Sequence, residues 1–210
     1  DIGILQTLGD AYLAADRGAE ALRVYESIVE REPDAPEHRC RLGDALLAAG
    51  EPVRADEEYN RAAQIDPSSA SAFFSRLADG FLGIGVPEMA RIAWERCLAA
   101  CSEDPLYWMG FGDCLFRLGE PDAAADAYRR AAKLQPGSAG PCWSRLGNRS
   151  AREGLHALAA MAFIEASAAD PGNPLYLLRL ASAYEAMGKY DLAASTLRRA
   201  EALESPPARR

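Results

Sequence analysis

The sequence predicts an all-α protein, a solenoid of six helical hairpins that would supply about twelve antiparallel helices. Three observations carry this expectation. A five-residue pattern (large, small, polar, small, large apolar) recurs as "LGDAY" (8–12), "LGDAL" (42–46), "LADGF" (77–81), "FGDCL" (111–115) and "LASAY" (180–184), with "LGNRS" (146–150) as a deviant sixth copy. Its small residue falls at Gly9, Gly43, Ala78, Gly112, Gly147 and Ala181, in steps that alternate between 34 and 35 residues. A second ladder runs Ala21, Ala55, Ala90, Ala124, Ala159 and Ala193, each followed four residues later by a large partner: Tyr25, Tyr59, Trp94, Tyr128, Phe163 and Leu197. Two small–large ladders per period mean two helices per period. Within each half-period apolar residues return at three and four, and no alternating strand pattern survives.

The elements follow in chain order. Repeat one (2–35) holds Gly9 in its first helix and Ala21 with Tyr25 in its second. Repeat two (36–70) opens at Pro36, turns at Gly50 and restarts at Pro52. Repeat three (71–104) turns at Gly85 and restarts at Pro87; Ser102 stands where a closing proline is expected, and that proline slides to Pro105. Repeat four (105–139) opens on Pro105, turns at Gly119 and restarts at Pro121, repeat five (140–173) opens near Pro141 and turns at Gly154, and repeat six (174–205) opens on Pro174 and turns at Gly188. Proline suits a first helical turn, where a missing N–H costs no hydrogen bond, and glycine suits a turn that needs a left-handed backbone. The five residues 206–210 are expected to form a disordered tail. No polar helix follows repeat six to cover the apolar face of Leu192, Leu197 and Leu203. Repeat arrays need such caps, so that face is expected to meet more of the native chain or another molecule.

Composition bounds the function. Of 210 residues, 49% are hydrophobic and 26% charged, enough to bury a core and far from a disordered composition. A net charge of -8 and a pI near 4.9 argue against nucleic acid or an anionic membrane as partner, unless basic residues gather on one surface. No apolar run approaches the roughly 20 residues that span a bilayer, and no basic-then-apolar leader opens the sequence. A cytoplasmic location is expected, with the periplasm left open because the sequence starts at Asp1. Five cysteines, Cys40, Cys97, Cys101, Cys114 and Cys142, form no CxxC pair and read as reduced core residues. Cys97 and Cys101 share a helix face, but with only His38 and His156 in the chain they complete no ligand set, so neither metal nor cofactor is expected.

At this point the residues resemble the tetratricopeptide repeat family, whose pattern is W-x2-L-G-x2-Y, then A-x3-F, then P. Trp108, Phe111, Gly112, Leu115, Gly119, Ala124, Tyr128, Ala131 and Pro136 fall at that spacing in repeat four, as do Trp143, Leu146, Gly147, Ala159, Phe163, Ala166 and Pro171 in repeat five. The resemblance runs from Ile2 to about Glu204 and implies a right-handed solenoid whose first helices line a concave, protein-binding face. Packing logic agrees: glycine or alanine in one helix lets the large residue of the other approach. The named aromatics are therefore read as core.

Catalytic motifs are absent. "GFLGIG" (80–85) and "GFG" (110–112) neither follow a strand nor open a helix as phosphate loops do, and no GxSxG, HExxH or P-loop occurs. "NRS" (148–150) matches a glycosylation sequon but falls within a helix. The chain is read as a non-enzyme.

By the same resemblance, one stripe of each repeat's first helix faces the groove. Numbering the first helix of each repeat so that Gly9 and its equivalents are slot eight, slots two, six, nine and thirteen share one stripe. Slot six reads Thr7, Arg41, Arg76, Gly110, Arg145 and Arg179; slot nine reads Asp10, Asp44, Asp79, Asp113, Asn148 and Ser182. By the resemblance, slot nine of one repeat neighbours slot six of the next, which pairs Asp10 with Arg41, Asp44 with Arg76 and Asp113 with Arg145. The ladder breaks where Gly110 follows Asp79 and where Asn148 precedes Arg179. Around that second break arginines accumulate: Arg117 and Arg152 at slot thirteen, Arg145 and Arg179 at slot six, and Arg149 at slot ten, where Ser150 would keep room for it. Leu106, Met109, Phe116, Leu175 and Leu178 are expected to floor this groove. A basic wall over an apolar floor suits a protein or peptide segment with acidic and hydrophobic residues. Alternatively Arg149 is a snorkelling side chain beside Glu153. The family's carboxylate clamp for chaperone C-termini is not matched, since Gln6, Asp10 and Arg41 occupy its positions and no lysine stands at slots five or two. The segment 107–136 loosely resembles the opening repeat of bacterial type III secretion chaperones, which leaves a chaperone, or a regulatory or structural part of a larger assembly, as the other readings.

Overall fold

A computed structural model describes residues 1–204; the tail expected at 206–210 lies outside the described residues. Twelve α-helices and no strand occur among them: α1 (Ile2–Ala14), α2 (Gly18–Arg31), α3 (Pro36–Ala48), α4 (Pro52–Ile65), α5 (Ala70–Gly83), α6 (Pro87–Ala100), α7 (Pro105–Arg117), α8 (Pro121–Leu134), α9 (Ala139–Arg152), α10 (His156–Ala169), α11 (Pro174–Ala186) and α12 (Tyr190–Glu204). Prolines stand first in α3, α4, α6, α7, α8 and α11. Pro141 corrects the expectation. It is the third residue of α9, because a short 3-10 turn at Pro136–Ser138 leads straight into the helix at Ala139. The position is still harmless, since the first-turn N–H groups have no intrahelical acceptor.

Glycines close five hairpins. Gly50, Gly85, Gly119, Gly154 and Gly188 all have φ between 72° and 81°, the left-handed region. The first hairpin, which lacks this glycine, uses Asp16 at φ 56°.

The chain divides into two compact units. The first comprises Asp1–Ser102 with Asp113–Gly119, and the second Glu103–Gly112 with the chain from Glu120 onward. In the first unit successive helices from α1 to α6 pack on their sequence neighbours, and α3 also packs on α5. Its core holds Tyr25, Tyr59, Leu46, Leu77 and Phe81. A Cβ at Gly9 would stand 2.6 Å from the Tyr25 ring, and one at Gly43 2.5 Å from the Tyr59 ring. The ladders predicted from spacing are thus the contact between the two helices of a hairpin. Slot nine joins the same contact: Tyr25 Oη donates to Asp10 Oδ1 at 2.6 Å and Tyr59 Oη to Asp44 Oδ1 at 2.5 Å. Burial first, and these carboxylates second, hold both phenols well above their ordinary range. The aspartates also meet the arginines of the following repeat, Arg41 at 3.5 Å from Asp10 and Arg76 in a two-pronged bond to Asp44.

In the second unit α8 packs on α9, α9 on α10, α10 on α11 and α11 on α12. Gly112 admits the Tyr128 ring and Gly147 the Phe163 ring, where an added Cβ would come within 2.9 and 2.6 Å respectively. Ala159, Ala160, Phe163, Leu177, Leu180 and Ala183 form one buried cluster, closed by Ala200. No helix among the described residues is long and apolar enough to cross a membrane.

Candidate functional site

The two repeats that contain the broken ladder also contain the basic recess. In the second unit, α9, the start of α10 and α11 enclose an open concavity of about 670 Å³. Asn148 and Arg152 come from α9, His156 from the first residue of α10, and Arg179 and Ser182 from α11. Its floor is Ala151, Phe163, Ala183 and Ala186. Phe163 and Ala183 belong to the buried cluster, so the floor is the outer surface of a packed core rather than a mobile loop. A second concavity of about 390 Å³ shares Asn148 and Arg152 and adds Ser144, Arg145, Leu175 and Tyr176.

The electrostatics are one-sided. Among the described residues, no acidic one lines either concavity. Arg152 and Arg179 are exposed, and neither makes an ion pair or hydrogen bond among the described residues. Compare the first unit, where Asp44 receives Arg76. In the second, the residue one repeat before Arg179 is Asn148, whose amide carries no charge to pair with. Asn148 Nδ2 reaches Ser144 Oγ at only 3.4 Å, and its Oδ1 is buried with no donor. A buried acceptor left unmatched costs free energy. Arg149 and Arg152 occupy the last turn of α9, where a cation also interacts favourably with the free carbonyls of the helix end.

The structure sorts the residues expected from the sequence. Arg145, Asn148, Arg152, Arg179 and Leu175 come together around the two concavities. Arg149 is half-buried and lines neither. Ser150 beside it is fully buried and its hydroxyl donates to the Leu146 carbonyl at 2.9 Å, which accommodates a small polar residue where a large one stands in the other five repeats. Three expectations need correction. Arg117 falls in the first unit and donates from Nη1 to the Leu82 carbonyl at 2.7 Å, near the end of α5. Phe116, in the same unit, is a core side chain, 7% exposed. Leu178 packs against the buried cluster of the second unit rather than flooring a recess. Leu106, 66% exposed, and the half-buried Met109 line neither concavity. His156 and Ser182 were not singled out as binding residues. Ser182 was legible, as the slot-nine residue of repeat six; His156 sits on a second helix, outside the stripe of first-helix positions.

Comparison with known proteins agrees with the hairpins. Tetratricopeptide repeat models match residues 7–70, 76–139 and 177–209, more than half of the chain, which belongs to the tetratricopeptide repeat family. The matched spans leave 140–176, with most of the basic recess, between them. The fold is similar to that of the MamA protein, at 22% identity over 82% of this chain and 93% of that one, with a TM-score of 0.58. It is also similar to YrrB, a TPR protein with an unusual peptide-binding site, at 20% identity over 86% and 92% of the two chains and a TM-score of 0.55. BtubC from P. vanneervenii shares the fold at 16% identity, 96% and 95% coverage and a TM-score of 0.55.

Proposed function

We propose that this chain is a non-catalytic scaffold that captures a segment of a partner protein on the basic face of repeats five and six. The observation that carries the reading is the pair of guanidiniums, Arg152 and Arg179, held in one recess without an acidic partner. Stability alone gives no reason to gather like charges there, because mutual repulsion opposes it. Acidic groups of a bound segment supply the missing charge, and the apolar floor and Leu175 take its hydrophobic neighbours. Interaction through protein or peptide segments is common to the family, and the peptide-binding site of YrrB is in keeping with it.

Selection from a random peptide display library tests this directly. Wild-type protein should enrich segments that combine acidic with large apolar residues. Arg152→Ala and Arg179→Ala should each weaken the selected peptides about ten- to a hundredfold, the usual worth of a hydrogen bond to a charged group. Arg149→Ala should leave affinity within about twofold, since a partly desolvated charge outside the contact adds little. Enrichment of no acidic motif, or wild-type affinity in both Arg152→Ala and Arg179→Ala, would sink the reading.

A further inference from the structure

The recess between α9, α10 and α11 holds more positive charge than one carboxylate can neutralise. Arg152 and Arg179 each present a guanidinium that makes no ion pair or hydrogen bond among the described residues, and His156 adds an imidazole N–H donor. His156 also opens α10, whose first turn receives no side-chain cap, so the positive end of that helix dipole adds to the same field. A single carboxylate from a ligand would leave one guanidinium covered and uncompensated, a costly arrangement once water is displaced. A phosphomonoester carries about -1.5 to -2 charges and three acceptor oxygens, which matches two arginine forks and an imidazole N–H. Phe163, Ala183 and Ala186 line the same recess, an apolar surface fit for the stem of the residue that bears the group.

We infer that the recess of Arg152, Arg179 and His156 binds a phosphomonoester dianion, borne on a phosphorylated side chain of the captured segment. The inference rests on the proposed capture of a protein segment only for the bearer of the phosphate, not for the anion site itself.

Phenyl phosphate and benzoate, titrated at pH 7.5 and constant ionic strength and followed by isothermal calorimetry and arginine side-chain NMR, separate dianion from carboxylate recognition. Phenyl phosphate should bind at least about tenfold more tightly than benzoate, and its affinity should fall about ten- to a hundredfold in Arg152→Ala and in Arg179→Ala. Arg198→Ala, on the exposed face of α12, should bind as wild type. Equal binding of the two probes, or wild-type affinity for phenyl phosphate in both recess variants, would overturn the inference. A second arm settles the bearer. Peptides from the display selection, remade with phosphoserine in place of each acidic residue in turn, should tighten at least about tenfold at one position, and that gain should vanish in Arg179→Ala. Peptides that bind but gain nothing from phosphoserine remove the phosphoryl inference and leave segment capture standing. Phenyl phosphate binding with no peptide selected removes segment capture and with it the phosphorylated side chain as bearer, leaving a site for a free phosphomonoester.

Discussion

Gly147 and Gly119 lack a side chain for opposite reasons. At Gly147 the helix is ordinary but a Cβ would stand 2.6 Å from the Phe163 ring, whereas at Gly119 the space is open and the constraint is a φ of 77°. Gly147→Ala should therefore cost about 1–3 kcal/mol through overpacking, and Phe163→Leu in the same chain should recover part of the loss. Gly119→Ala should cost about 1–2 kcal/mol from the left-handed backbone, and Gly119→Asn less, because asparagine tolerates that region. Urea denaturation of the variants checks both; equal losses for Ala and Asn at 119 would contradict the conformational account. Thiols give a second residue-scale test. Burial pushes Cys40 up to about 12 and Cys142 up to about 11 from an ordinary 9.0, while Cys101 is only half-buried. Cys101 should react first with Ellman's reagent, and Cys40 and Cys142 only after opening. The sign for stability follows: these thiols ionise more easily unfolded, so their contribution is intact below pH 9.0 and declines as pH rises towards 11–12. Melts at pH 7.5 and 10 on wild type and Cys142→Ala measure it, the variant showing the smaller alkaline loss.

The helical hairpin was almost fully legible, since period, punctuation and both ladders are short-range properties of the chain. Gly9, Gly43, Gly112 and Gly147 proved to be ring-contact positions, and the left-handed turns fell on the expected glycines. The pairs of Asp10 with Arg41 and Asp44 with Arg76 were implied by the family resemblance, which sets slot nine beside slot six of the next repeat. The site was legible only in part. Slot numbering found Arg152, Arg179 and Asn148 because they lie on first helices; it missed His156, which reaches the recess from the head of a second helix. It also misassigned Phe116, because which residue at the end of a helix turns inward depends on packing that no period specifies. Asp44 offers the test at this scale. Its carboxylate, 19% exposed, accepts from both Tyr59 and Arg76, whereas Asp10 is 47% exposed. Asp44→Ala should cost about 1–3 kcal/mol by leaving the buried Tyr59 hydroxyl unmatched, while breaking the exposed Asp10–Arg41 pair through Arg41→Ala should cost less than about 1 kcal/mol. Comparable losses in thermal melts would show that the ladder is uniform and Asp44 not special.

At the scale of the molecule, the chain divides into two compact units with their own cores, and within them α1 to α6 and α8 to α12 pack on their sequence neighbours. A lesion should then stay local. In native-state hydrogen exchange, Gly147→Ala should lower protection in α9 to α11 while α1 to α4 keep wild-type protection; uniform loss along the chain would indicate one cooperative body instead. The glycine–ring contacts carry a further consequence, for the order of events as the chain comes off the ribosome. Each ring closes on a glycine only sixteen residues before it in the chain, at 9 and 25, 43 and 59, 112 and 128, and 147 and 163. Such short loops close quickly and with little entropic loss, so a hairpin can assemble as soon as its second helix has emerged, without waiting for distant sequence. Synthesis and folding can therefore advance in step, one hairpin at a time, with little apolar surface left waiting for a partner still to be made.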